Sequence, residues 1–198
     1  AETLRTLQLR GNDGRPIADR VMLLDDLTAL LAGGTLHPDA LLQLDYKEDA
    51  SVLDARTLAS FAQSVGPVAG NLILSSGDAE SVRLLTETAP GIRVGYDPCD
   101  DDAMAELAAT SDYATFVRGA LAASPAAEMV YLAHPLVLAA ADAGTDLIGA
   151  FHAGGRLVDV YTIQRADVAA RPLVERLLAL RADQLTTDDP EGLAAMLA

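Results

Sequence analysis

The segment Leu41–Lys47, with the sequence LLQLDYK, decides the fold prediction because it combines an apolar run with polar residues at alternate positions. Side chains of a β-strand alternate between two faces, so Gln43, Asp45 and Lys47 share one face with Leu41. Strands of parallel sheets are normally covered on both sides and apolar throughout. Three polar residues on one face therefore predict a polar pocket there. An ion pair between Asp45 and Lys47 at a solvated strand end is the alternative interpretation.

Lys47 also stands out by residue type, since it is the only lysine among the 14 Lys and Arg residues of the chain. Because all other basic side chains of this chain are arginines, the lysine at position 47 indicates a site that requires a compact ammonium group. Such a group suits a phosphate oxygen beside a metal ion. The alternative is that one lysine remains here by chance.

Outward from this segment, short apolar runs bounded by turn residues alternate with longer segments of helical period. This alternation is typical of repeated βα units around a parallel sheet. Eight such units occupy roughly 250 residues in a TIM-type (β/α)8 barrel, so this α/β chain is expected to hold about six of them. An open doubly wound sheet is the other arrangement of six parallel strands. The predicted strands are Leu41–Lys47, Asn71–Ser76, Ile92–Tyr96, Met129–Ala133, Leu157–Ile163 and Gln184–Thr187.

The helical segments follow from the same pattern, and the chain is expected to form one domain over residues 1–198. Asp78, Asp100 and Asp189 stand where a helix N-cap or first turn favours a carboxylate. The stretch Gly11–Arg20 is predicted to be a loop because of its Asn, Asp, Gly and Pro residues. The predicted helices are Met22–Ala32, Val52–Val65, Ala79–Thr88, Asp101–Thr110, Leu136–Ala153, Val168–Leu180 and Glu191–Leu197.

Composition excludes several classes of function. The formal net charge of −15 provides no basic surface for nucleic acid or anionic membranes. The apolar stretch Met129–Ala141 is too short for a transmembrane helix, so no membrane span is expected. The residues after Ala1 do not show a basic region followed by an apolar region, so no signal peptide is expected either. The single cysteine, Cys99, excludes an internal disulfide and is expected to be a buried or half-buried thiol.

The three histidines and a run of aspartates are further groups that could carry chemistry. His37 and His152 are expected to have surface or packing roles, whereas His134 follows a predicted strand, where barrel sites gather. The aspartates at positions 100–102 do not have EF-hand spacing, and capping of a helix N-terminus explains them better. Tyr96 and Asp97 end a strand and are candidates for lining a pocket.

The segment Leu42–Glu48 (LQLDYKE) resembles the third-strand motif of the glycerophosphodiester phosphodiesterases, with Asp45 in place of the usual Glu. Three other segments are similar to family segments and occur in the family's order. They are Leu72–Asp97 with Gly77 for the usual Phe, Phe151–Gln164 with Tyr161 for Trp and Gln164 for Asn, and Leu180–Leu197 with Thr187, Asp188 and Pro190 in place.

The resemblance implies a TIM-type barrel and the hydrolysis of a small-molecule glycerophosphodiester to glycerol 3-phosphate and an alcohol. In the family the residue matched by Asp45 binds a divalent cation, Ca²⁺ or Mg²⁺, and the residue matched by Lys47 faces the phosphate. The family's His-Arg-Gly and Glu-x-Asp motifs and its second catalytic histidine do not occur here, so the chain is expected to lack the family's N-terminal part and its proton-transfer groups. The further expected substrate-binding residues are Gln43, Ser76, Tyr96, His134, Tyr161 and Gln164.

Two other functions remain open at the level of sequence. The chain could be a non-catalytic remnant of the barrel that acts as a binding or interaction protein. An open six-stranded barrel exposes two strand edges, so self-association into a homo-oligomer is expected in that case. The third hypothesis is a barrel phosphodiesterase that acts on phosphoinositides or sphingolipids. The Thr187–Asp188 segment favours the glycerophosphodiester hypothesis over this third one.

Overall fold

A computed structural model describes residues 2–11, 13–35, 37 and 39–198 of the chain. Helices and strands alternate along most of this length, as the sequence predicts. In chain order they are α1 (Glu2–Arg5), β1 (Gln8–Arg10), β2 (Pro16–Arg20), α2 (Leu24–Gly33), β3 (Leu42–Asp45), α3 (Ala55–Val65), β4 (Leu72–Ser75), α4 (Ala79–Thr88), β5 (Arg93–Tyr96), α5 (Asp101–Thr110), α6 (Tyr113–Ala123), β6 (Met129–Ala133), α7 (His134–Asp142), α8 (Leu147–Ala153), β7 (Leu157–Ile163), α9 (Arg171–Ala179), β8 (Gln184–Thr187) and α10 (Pro190–Leu197).

The main sheet has six parallel strands in the order β3-β4-β5-β6-β7-β8. Each strand pairs with its neighbour in the chain, and Asp45 lies opposite Ser75 at the end of the first pair. The sheet curls into a half-barrel, which confirms the predicted partial TIM-type barrel and not the open doubly wound sheet. Because all strands run the same way, their carboxyl ends gather at one rim.

The outer face of the sheet carries most of the apolar core. One cluster joins β5–β8 to α5–α10, with Leu132, Phe151 and Val160 fully buried. A second cluster joins β3 and β4 to α2–α4, and Leu42, Leu44 and Tyr46 pack against it. The inner face has a smaller apolar cluster of Ile73, Met129 and Tyr131, with Leu41 and Tyr161 beside it. The predicted alternation in Leu41–Lys47 is thus confirmed, with its apolar face outside and its polar face inside.

Most helices of the outer layer begin after an aspartate N-cap. The predicted caps Asp78, Asp100 and Asp189 each accept a backbone N–H of the first turn. Asp54 and Asp112 do the same for α3 and α6. These hydrogen bonds satisfy donors that a helix cannot pair internally, which fixes where the chain turns from strand to helix.

Three sequence predictions need correction. Gly11–Arg20 is not all loop, since Pro16–Arg20 forms β2 and pairs antiparallel with β1. The side chains of β2 are all exposed, so no buried face imposed an apolar alternation on the sequence. Asn12 lies outside the described residues. Helix Leu136–Ala153 is two helices, because Gly144 has φ 76° and Asp146 caps a new helix. The helix Tyr113–Ala123 was missed in the sequence.

Among the described residues, no single helix is both long and apolar enough to cross a membrane. Helices α7 and α8 meet that criterion only when taken together, and they are bent by 102° relative to each other.

Candidate functional site

A cavity of about 290 Å³ opens on the inner face of the half-barrel, at the rim where the strands end. Each of the six strands of the curled sheet contributes to its walls, either with one of its own residues or with a residue that follows it. Barrel active sites lie at this rim, which makes the cavity the candidate site. Its walls are formed by Gln43, Asp45, Lys47, Ser75, Asp97, Tyr131, Tyr161, Thr162 and Thr186.

Asp45 and Lys47 lie side by side in this wall. The Lys47 Nζ atom is 2.6 Å from Asp45 Oδ2, and the two side chains are 75% and 45% exposed. The two interpretations of the sequence therefore both hold, because the residues form an ion pair and also line a pocket. An exposed ion pair stabilises a protein little, so Lys47 can exchange Asp45 for another anion at small free-energy cost.

Gln43 joins the same wall to the neighbouring strand. Its Nε2 atom donates a hydrogen bond to Ser75 Oγ at 2.8 Å, and Ser75 is buried. The hydrogen bond to the buried Ser75 hydroxyl holds the Gln43 amide in one orientation. The wall thus has a fixed amide beside the exposed ammonium group of Lys47.

Asp97 faces the cavity from the end of β5. The Tyr161 hydroxyl donates to both carboxylate oxygens, at 3.1 and 3.0 Å, and the Cys99 backbone N–H donates to Oδ1 at 3.0 Å. Burial nevertheless raises the pKa of Asp97, with the charge of Asp45 acting in the same direction and these hydrogen bonds opposing it. Burial also raises the pKa of the half-buried Cys99 thiol to about 12, so this group stays neutral.

The floor of the barrel holds a buried carboxyl group and a buried phenol. Asp159 on β7 is 0% exposed and accepts hydrogen bonds from Thr186 Oγ1 at 2.9 and 3.0 Å. Burial raises the pKa of Asp159. The Tyr131 hydroxyl is buried without a hydrogen-bond partner among the described residues, and burial, with the charge of Asp159, raises the pKa of this phenol.

The raised pKa of Asp159 predicts a pH-dependent contribution to stability. The folded chain binds this proton more tightly than the unfolded chain. The contribution is therefore complete below the ordinary pKa of 3.8 and is lost as the pH rises through the folded-state pKa. We expect Asp159→Asn, which does not titrate, to become more stable relative to the unchanged protein as the pH rises from 4 to 7.

Urea unfolding at a series of pH values measures this difference. Asp19→Asn, at an exposed position on β2, is the matched control and should show no such trend. Parallel pH profiles for the unchanged protein and Asp159→Asn would contradict the assignment.

The structure brings together four of the predicted site residues, since Gln43, Asp45, Lys47 and Tyr161 all line the cavity. Four others lie outside its walls. Ser76 is buried and accepts a hydrogen bond from the Asp78 N–H, and Tyr96 points to the outer face because Asp97 takes the inner one. His134 begins α7 with Nδ1 3.2 Å from the Tyr161 carbonyl oxygen, and Gln164 is exposed after β7.

The sequence did not predict five other residues of the site region, namely Ser75, Tyr131, Asp159, Thr162 and Thr186. For Asp159 a signal was present, because a carboxylate in the middle of the apolar run Leu157–Ile163 contradicts a strand that is apolar on both faces. The period of two would also have placed it on the face of Tyr161. Thr186 needs the pairing of β7 with β8, which the sequence does not show.

The donor set for a metal ion is small. Within the described part of the chain, no group of three or more His, Cys, Asp and Glu side chains is placed to hold a metal ion. Mg²⁺ is commonly bound by one or two carboxylates, with waters and substrate phosphate oxygens completing the shell. The half-exposed Asp45 carboxylate fits that role.

Comparison with known proteins gives a fold but no close relative. No protein-family model matches the sequence, and no curated protein matches it either. Among solved structures, a glycerophosphodiester phosphodiesterase from Parabacteroides distasonis aligns with 99% of this chain at 15% identity and a TM-score of 0.62. The chain shares the fold of these enzymes.

Two other solved structures agree with that likeness. A glycerophosphoryl diester phosphodiesterase from Parabacteroides distasonis has 18% identity over 99% of this chain and a TM-score of 0.59. A glycerophosphodiester phosphodiesterase from Agrobacterium tumefaciens has 17% identity over 92% of this chain and a TM-score of 0.56. The chain covers 69%, 62% and 63% of the three structures in turn, so it corresponds to about two thirds of each.

Proposed function

We propose that this chain forms the phosphate-binding wall of a phosphodiesterase that hydrolyses glycerophosphodiesters to glycerol 3-phosphate and an alcohol. The observation that carries the proposal is the position of Lys47, the only lysine, at the rim cavity of a barrel with this fold. Asp45 beside it supplies the carboxylate that the sequence motif leads one to expect. The fold likeness and the motif thus support the same assignment from different directions.

Lys47 has the chemistry to bind a phosphodiester anion. Its ammonium group has three N–H donors, and Asp45 is its ion-pair partner at 2.6 Å. The remaining donors face solvent at the cavity mouth, because the side chain is largely exposed. A phosphate oxygen there would gain a charge-assisted hydrogen bond.

The charge of the cavity also favours a divalent cation. Asp45 and Asp97 line the walls and Asp159 lies beneath them, whereas Lys47 is the one cationic lining residue in the described part of the chain. An excess of carboxylates repels a phosphodiester unless a metal ion offsets it. A bound Mg²⁺ ion would supply charge neutralisation for the phosphate, with Asp45 as the ligand that this chain provides.

The proposal concerns binding and charge, not proton transfer. None of the nine lining residues is a histidine, and the family resemblance assigns proton transfer to two histidines in motifs that this chain does not carry. Gln43 would orient a substrate oxygen through its fixed amide. Asp97 and Tyr161 would shape the opposite wall through their hydrogen bond.

A hydrolysis assay with glycerophosphocholine tests this function. We expect release of glycerol 3-phosphate in the presence of Mg²⁺, and loss of that release when a chelator removes the metal. The full polypeptide, as it is translated, is the protein to assay. Absence of metal-dependent hydrolysis there would contradict the proposal.

A second candidate function is an interaction role through self-association. The hairpin β1–β2 and its flanks expose several apolar side chains, and Leu7, Leu9 and Ile17 are 49%, 44% and 39% exposed. Within the described residues, β3 and β8 each also have one unpaired edge in the sheet order. Light scattering discriminates the two functions, because a well-folded monomer would count against this one.

A further inference from the structure

A second cavity lies on the other face of β5, between the strand and the helices α5 and α6. Its volume is about 250 Å³, and Tyr96 lines it while its neighbour Asp97 lines the barrel cavity. Strand alternation thus separates the two spaces. The proposed phosphodiesterase function does not use this outer cavity.

The walls of the outer cavity are apolar and aromatic. Tyr96 and Leu107 are buried at its base, and Phe116 of α6 lies at its side. The Phe116 ring meets Phe151 edge to face, with ring centroids 6.2 Å apart and an interplanar angle of 90°. This contact holds the Phe116 ring in place, so the cavity has a fixed aromatic wall.

Negative charge surrounds these apolar walls. Asp100, Glu106 and Asp112 line the cavity, and no lysine, arginine or histidine among the described residues does. In the part of the chain that the structure describes, none of the three forms an ion pair. Hydrogen bonds from Thr115 lower the pKa of Asp112, which keeps this carboxylate charged at neutral pH.

We propose that this cavity binds a small organic cation with an apolar face, of the alkylammonium or benzylammonium class. An aromatic ring attracts a cation through the negative face of its π-system, and nearby carboxylates add to that attraction. A neutral apolar molecule would contact the walls but would gain nothing from the negative charge of these carboxylates. An anion would be repelled by them.

The cavity is suited to an organic cation more than to a metal ion. The carboxylates of Asp100 and Asp112 already cap α5 and α6 through backbone N–H groups. No three metal-ligating side chains come together among the described residues. A ligand that fills space and makes few direct hydrogen bonds matches these walls better.

Calorimetric titration with benzyltrimethylammonium tests the proposal, with benzyl alcohol as the neutral probe and benzenesulfonate as the anionic one. We expect the cation to bind at least about tenfold more tightly than benzyl alcohol, which corresponds to a difference in binding free energy of about 1.4 kcal/mol. Benzenesulfonate should not bind. Equal affinity for the cation and the alcohol, or no binding of the cation, would overturn the proposal.

Two kinds of variant locate the site. Gly119→Leu fills the cavity from α6, where no atom lies within 4 Å of an added Cβ, and should abolish binding without lowering the melting temperature. Ala103→Leu fills it from α5 and replaces that test if the first variant does not fold. Cation binding that survives in a folded filling variant would overturn the assignment.

Charge variants test the carboxylate contribution. Glu106→Gln should weaken cation binding about threefold to tenfold, as expected for a partly exposed charge near the ligand. Glu191→Gln on α10 removes the same charge at a distant exposed place and should leave the affinity unchanged. Equal effects of the two variants would show that only net charge matters, and the proposed site would be wrong.

Discussion

Replacing Lys47 with methionine is expected to lower kcat/KM for glycerophosphocholine by about 10²–10³-fold, as seen when one preorganised donor to developing charge is removed. Methionine keeps much of the length and apolar stem of the side chain but has no charge. Of the residues that the structure describes, Lys47 is the only cationic one in the cavity wall, so no other lining residue replaces its charge. The measurement is the steady-state rate of glycerol 3-phosphate release by the full polypeptide at saturating Mg²⁺.

Two variants serve as controls for the Lys47 result. Arg20→Met removes a positive charge from the exposed strand β2 and should leave kcat/KM unchanged. Lys47→Arg keeps the charge but changes the shape of the donor group, and should recover only part of the activity. If the unchanged protein hydrolyses the substrate and Lys47→Met is equally active, the role of Lys47 is wrong while the reaction stands.

Gly95→Ala is expected to destabilise the protein by about 1–3 kcal/mol, the usual effect of overpacking a filled interior. A Cβ atom at this position would lie 2.7 Å from Cε2 of Tyr131 and 3.2 Å from Cβ of Ser75. Both neighbours are buried, so the close contact can be relieved only by pushing the Tyr131 ring toward the cavity that it lines or by shifting the strands. Thermal unfolding should show a melting temperature lower by about 2–12 °C for a chain of this size.

Gly119→Ala is the matched control for Gly95→Ala. It adds the same methyl group inside helix α6, where an added Cβ meets nothing within 4 Å. Alanine is the better helix former by about 1 kcal/mol, so this variant should be slightly more stable than the unchanged protein. Equal stability of the two variants would contradict the packing described around Tyr131.

The strands of the half-barrel were predicted from sequence with good accuracy. Met129–Ala133, Leu157–Ile163 and Gln184–Thr187 have the predicted bounds. Apolar residues of these strands pack in the outer core and turn residues bound each strand, which is the pattern that a sequence shows most directly. The exposed hairpin β1–β2 could not be found this way, because no buried face imposes a pattern on it.

Most of the candidate site that was predicted from sequence lies in and just after one strand, with Tyr161 of β7 in addition. The polar face of Leu41–Lys47 indicated Gln43, Asp45 and Lys47 because the period of two is a property of the strand itself. Ser75 and Thr186 enter the site through the pairing of neighbouring strands. That register is a long-range property, and no local pattern of residues specifies it.

The outward position of Tyr96 has a related cause. The sequence placed both Tyr96 and Asp97 at the end of a strand without deciding which one faces the pocket. Val94 and Tyr96 pack in the outer core, and this burial turns Asp97 inward to meet Tyr161. Packing against helices that are distant in the chain therefore decides the assignment.

The central claim is that Lys47 and Asp45 form the wall that receives a phosphate group. A crystal structure of the full polypeptide with glycerol 3-phosphate and Mg²⁺ tests this most directly. We expect a phosphate oxygen about 3 Å from Lys47 Nζ, the usual length of a charge-assisted hydrogen bond, inside the cavity lined by Gln43 and Asp97. A ligand bound elsewhere, with the Lys47–Asp45 ion pair unchanged and no phosphate in this cavity, would contradict the claim.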